Sequence, residues 1–76
     1  MPPRFYYAYI MYLSPSGHPK VDRIVRNTQT EAHEALVLRQ AELTLHPGSV
    51  ILSSWIETEG IYGKLVTLWH ECYVEN

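Results

Sequence analysis

At 76 residues the chain has room for one small domain, taken as residues 1–76, and a thin core; a domain near this size buries only about 60% of the surface its unfolded chain exposes. With 46% apolar and 18% charged residues it is too apolar for disorder, and a net charge of -2 supplies no global field for nucleic acid. A lone cysteine, Cys72, excludes an internal disulfide framework and suits a reducing interior, so the expected location is the cytoplasm.

Phe5 to Leu13, rich in tyrosine and isoleucine, reads as a first strand. It has no small-residue cleavage signal behind it, and nine residues are too few to span a bilayer as a helix, so no membrane partner is expected. Ser14-Pro15-Ser16-Gly17-His18-Pro19 is turn chemistry, because proline fixes φ and glycine permits positive φ. Lys20 to Asn27 holds Val21, Ile24 and Val25 among charges and fits a second strand paired back on the first, with Asp22, Arg23 and Arg26 marking an edge.

Thr28-Gln29-Thr30-Glu31 is a helix start: Thr28 caps the free amides and Glu31, three residues on, completes a capping box, with Thr30 the competing cap. Helix formers run from Glu31 to Leu45, and Ala32, Ala35, Leu36 and Leu43 share one face. Arg39 falls near that face, where its stem can pack while its head reaches solvent or a carboxylate. Glu31, Glu34 and Glu42 mark a solvated outer face. His46-Pro47-Gly48 ends the helix. Ser49 to Thr58 and Lys64 to Val74 are strand-like and flank Glu59-Gly60-Ile61-Tyr62-Gly63, a hairpin loop longer than two residues. The expected fold class is therefore α+β: a single small domain of order β-β-α-β-β, an antiparallel sheet covered on one face by one helix.

Alternation along each strand then assigns faces. In strand three Val50, Leu52, Ser54 and Ile56 oppose Ile51, Ser53, Trp55 and Glu57; in strand four Val66, Leu68, His70, Cys72 and Val74 oppose Leu65, Thr67, Trp69, Glu71 and Tyr73. The more aliphatic sets, with Ala8 and Ile10, are expected against the helix. That leaves an uncovered face of Tyr7, Tyr9, Met11, Trp55, Glu57, Trp69, Glu71 and Tyr73. Tryptophan and tyrosine are enriched among interface hot spots, and monomers rarely leave a large apolar patch unused, so Tyr7, Tyr9, Trp55, Glu57, Trp69, Glu71 and Tyr73 are the expected partner-binding residues. Two other readings stay open: the rings stiffen a thin sheet or lie under loops and termini, or a slip in strand one, apolar on both faces, presents Tyr6 and Tyr12 instead.

The sequence points to no catalytic residue, metal site or cofactor. His70 and Cys72 share a strand face but make only two ligands, and no second pair has suitable spacing. Glu57 and Glu71, if opposed across strands three and four, are a weak catalytic signal and more simply place negative charge among the rings. No nucleophile elbow, phosphate-binding glycine loop or zinc signature is present. A protein partner is thus the leading expectation, and a homodimer burying the aromatic face is the first alternative. A module for single-stranded nucleic acid, using Arg4, Lys20, Arg23, Arg26 and Lys64 on phosphates, is the second; the two glutamates weigh against it.

The order β-β-α-β-β, the small size, and the segments Gly48-Ser49-Val50-Ile51-Leu52 and Ile56-Glu57-Thr58-Glu59-Gly60 with a following aromatic strand resemble small inhibitors that phages and mobile elements encode against bacterial defences, particularly some anti-CRISPR proteins. The resemblance covers the whole chain in topology and only short segments in sequence. It implies stoichiometric action: occupying a surface of a large effector complex in the host cytoplasm and excluding its nucleic acid. Such inhibitors often present acidic groups, and this chain's negative balance is mild. No family site residue is carried over.

Overall fold

A computed structural model of the chain describes residues 5–73. Four strands and one helix follow in the order β1 (Tyr6–Leu13), β2 (Pro19–Arg26), α1 (Gln29–Thr44), β3 (Val50–Glu59) and β4 (Leu65–Cys72). The strands form one sheet in the spatial order β2-β1-β3-β4, with every neighbouring pair antiparallel. Helix α1 links β2 to β3 across β1 and packs over those three strands. The expected α+β architecture, one helix on one face of an antiparallel sheet, is the architecture of the protein. Arg4 and Val74, which the sequence offered as a phosphate contact and a strand end, lie outside the described residues.

The core is narrow. Ala8, Ile10 and Tyr12 from β1, Ile56 from β3, and Ala32, Leu36 and Leu43 from α1 are buried, with Tyr6, Ile24, Ile51 and Trp69 packed around them. Alanine on both the central strand and the helix lets the two backbones approach closely. Buried polar groups are paired, as desolvation requires: Thr58 Oγ1 donates to the carbonyl of Phe5 at 2.9 Å, and Ser54 meets Gln40 and Tyr73. Arg39 lays its stem toward the sheet and donates from Nε to Asp22 Oδ2 at 2.7 Å and from Nη1 to Glu42 Oε2 at 3.0 Å. The hydrogen bond to Asp22 raises its already high pKa, against partial desolvation and with smaller help from Glu42. This pair ties the charged edge strand β2 to the helix.

The N-terminus of α1 resolves the competition between the two threonines in favour of Thr28. Its hydroxyl accepts from the Glu31 amide at 3.1 Å and donates to the Glu31 carboxylate at 3.0 Å. Thr28→Ala is expected to cost about 1 kcal/mol of stability, the usual worth of a threonine cap; urea denaturation of wild type and variant checks it. At the other end Gly48 takes a φ of +91°, and a Cβ there would sit 3.3 Å from the Pro15 Cβ, so the β1–β2 loop holds the helix exit in place.

The β3–β4 hairpin turns through a 3₁₀ turn at Ile61–Gly63, closed by the Gly60 amide donating to the Lys64 carbonyl at 2.7 Å. Tyr62 sits there with a φ of +65° while 95% exposed. A left-handed tyrosine with no packing to compensate costs stability. Tyr62→Gly is therefore expected to stabilise the chain by roughly 0.5–1 kcal/mol, raising the melting temperature by several degrees; calorimetry checks the sign.

Candidate functional site

The sheet face away from α1 carries the aromatic residues of the two central strands. The register of β1 places Tyr7, Tyr9 and Met11 there as expected, opposite Glu57, Trp55 and Ser53 of β3 on one side and Val25, Arg23 and Val21 of β2 on the other. Central placement matters, because neighbours on both sides hold each ring upright. Tyr9 and Trp55, directly opposed across the ladder, stack with ring centroids 5.1 Å apart and planes 11° from parallel. Trp55 Nε1 donates to Glu57 Oε1 at 2.9 Å, which fixes the indole. Arg23 holds its guanidinium 5.9 Å from the Tyr7 ring centre, within cation–π range. The result is a plate of three rings with one cation and one anion at its borders.

The other expected members do not join it. Trp69, Glu71 and Tyr73 lie toward the helix, because the β3–β4 ladder shifts register between Ile56 and Glu57. Thr67 pairs with Glu57 and Trp69 with Ile56, so Leu68 is an extra residue in β4 and side-chain parity reverses across it. Trp69 consequently packs against the core and meets His33 of α1 edge-on at 4.8 Å. The Tyr73 hydroxyl receives a hydrogen bond from Gln40 Nε2 at 2.7 Å and lies 3.2 Å from Ser54 Oγ, on the helix side. Glu71 pairs with Ser54, so the two glutamates are not opposed and only Glu57 stands among the rings.

The same reversal brings His70 and Cys72, expected against the helix, to the open face beside Trp55 and Ser53. A second shift, between Met11 and Tyr12 on the β1–β3 ladder, turns Ile51 toward the core and leaves Val50 exposed, again opposite to strict alternation. Both shifts have one cause. Each strand carries apolar residues at both parities on either side of the extra residue, so alternation alone cannot locate it. The signal that was available is compositional: a histidine and a cysteine, His70 and Cys72, are poor choices against a helix when the tryptophan just before them, Trp69, lies on the opposite parity.

A hollow of about 440 Å³ opens on this face, lined by Trp55, Glu57, Thr67 and His70. A second, of about 590 Å³, lies on the flank of α1 along Thr30, His33, Glu34, Val37 and Leu38, so the outer helix face is less uniformly polar than its glutamates suggested. Among the described residues there is no group of three or more His, Cys, Asp or Glu able to hold a metal ion, and no helix is long and apolar enough to cross a membrane. No protein-family model matches the chain, and no curated protein or solved structure shows significant similarity to it.

Proposed function

We propose that this protein is a small non-enzymatic binding module that acts by protein–protein contact, with the open sheet face around Tyr7, Tyr9 and Trp55 as its contact surface. The Tyr9–Trp55 stack carries this reading. Its rings are large, amphipathic and held by each other and by Glu57, so little side-chain freedom is left to lose on association. Arg23 and Glu57 balance in charge, which suits a mixed protein surface better than a polyanion. The likeness to phage-encoded inhibitors names the first targets to try, the nucleic-acid-processing complexes of bacterial defence. Parallel capture on immobilised wild type and Trp55→Ala tests the reading: a protein retained by the first and lost from the second supports it, and identical sets on both remove the open face as the site.

A second reading, a module for single-stranded nucleic acid, gains from the turning of Glu71 away from this face and the arrival of His70. It loses from the stack itself. Inserting a base between two rings needs about 6.8 Å, twice the 3.4 Å base rise, and these centroids stand 5.1 Å apart. Bases would have to stack on outer ring faces. A mobility shift with single-stranded RNA and DNA at low salt decides it, since no retardation there rules the reading out.

A further inference from the structure

We propose that the hollow beside Trp55 receives an arginine side chain of the protein partner, stacked on the indole and paired with Glu57; this rests on the reading that the open face is the contact surface. The hollow is a product of the extra residue in β4. Trp55 and Glu57 stand two positions apart on β3, whereas the residues opposite them, His70 and Thr67, stand three apart. The surplus length spreads His70 from Thr67, as a bulge does when it re-aims side chains. Neither Leu68 nor Trp69 fills the gap, so about 440 Å³ lies open between Trp55, Glu57, Thr67 and His70.

The walls of this hollow suit a flat cation. β1 and β4 flank β3 on opposite sides, and Tyr9 of β1 covers one face of the indole, its ring plane 11° from parallel. The other indole face is therefore turned toward β4 and the hollow, where its π electrons attract positive charge. Glu57 supplies the one carboxylate at the hollow, and its Oε1 accepts from Trp55 Nε1 at 2.9 Å, which anchors it at the edge of the indole. Among the described residues no cation pairs with Glu57, whereas Asp22 and Glu42 share Arg39. Arg23, the cation of this face, lies on β2 over the Tyr7 ring, with β1 between its strand and β3.

A guanidinium fits this arrangement better than an ammonium. It can lie flat on the indole while the N–H groups in its own plane reach the carboxylate at the ring edge and the Thr67 hydroxyl. An ammonium is a compact, strongly hydrated point charge and gains less from a planar wall. An anionic group meets Glu57 and is repelled. At this exposed site the cation–π contact and the ion pair together are expected to contribute about 3- to 30-fold in affinity.

Selection of random heptapeptides displayed on phage against the immobilised chain tests the proposal, with Trp55→Ala and Glu57→Gln selected in parallel. Glu57→Gln keeps a side-chain oxygen for Trp55 Nε1 and removes the charge. Peptides held by wild type and lost on Trp55→Ala are expected to carry arginine well above its frequency in the unselected library. Replacing that arginine with citrulline, which has the same shape and no charge, should weaken binding about 3- to 30-fold on wild type and by less on Glu57→Gln, the signature of a direct pair. Trp55-dependent peptides without arginine enrichment, or with lysine serving equally, overturn the arginine assignment and leave the open face in place as the contact surface. An equal citrulline penalty on wild type and Glu57→Gln puts the arginine elsewhere and overturns it as well. So do selections that return no Trp55-dependent peptide, while protein capture on Trp55→Ala judges the open face independently. If a variant fails to fold, the indole N–H resonance of Trp55 in the wild-type chain decides: movement with an arginine-bearing heptapeptide and none with its citrulline copy supports the proposal, and equal or absent movement overturns it.

Discussion

Changing Tyr9 and Trp55 together to alanine is expected to abolish partner binding while the chain still folds. Each ring is half-buried on the open face, away from the helix-side core, so the double change deletes contact surface and one cross-strand pair. An interface hot spot of this kind is worth roughly 2 kcal/mol or more, about 30-fold in affinity. The two effects should not simply add, because the rings support one another. The stability lost with the stack is about 0.5–1.5 kcal/mol, against a total of roughly 4–11 kcal/mol for a chain of this length. Titration calorimetry against the captured partner and thermal unfolding of the variant measure the two quantities separately. Preserved affinity in a folded variant would eliminate this face as the site.

Trp69→Ala should do the reverse. Although the sequence places Trp69 among the binding rings, it packs against the core and edge-on to His33, and its removal opens the seam between α1 and the outer strand. Burying less than a fully enclosed tryptophan, it is expected to cost about 2–4 kcal/mol, somewhat under the range for large aromatic deletions in a core. At roughly 4–8 °C per kcal/mol for a domain this small, the fall in melting temperature is far outside measurement error. Affinity of the molecules that remain folded should be unchanged. A Trp69→Ala protein that melts like wild type but no longer binds would mean that parity does not reverse at Leu68, and the sequence-based aromatic face would stand complete. The contrast between the two variants is therefore a test of one extra residue in one strand.

Much of the fold was legible without coordinates because it rests on local chemistry. The Ser14–Pro19 turn, the Thr28 and Glu31 cap, the helix exit at His46-Pro47-Gly48 and the long β3–β4 loop are each dictated by residues within a few positions of one another. Alternation correctly assigned Ala8 and Ile10 inward and Tyr7 and Tyr9 outward, since β1 pairs regularly with β2 along its whole length. Arg39 also found a carboxylate as its position suggested, though Asp22 lies 17 residues away and sequence spacing could not single it out.

What only the tertiary structure decided is strand order and the phase of β4. Strand order follows from which faces the helix can cover while linking β2 to β3, and it places Tyr9 beside Trp55 at the centre of the sheet. The phase of β4 depends on a hydrogen-bond register with β3, formed between residues far apart in the chain, and one unpaired residue exchanges every side chain beyond it between the two faces. Sequence by itself determined that an aromatic face exists. The pairing of Leu68 with no residue of β3 determined that it consists of three rings, with Trp69, Glu71 and Tyr73 turned to the helix.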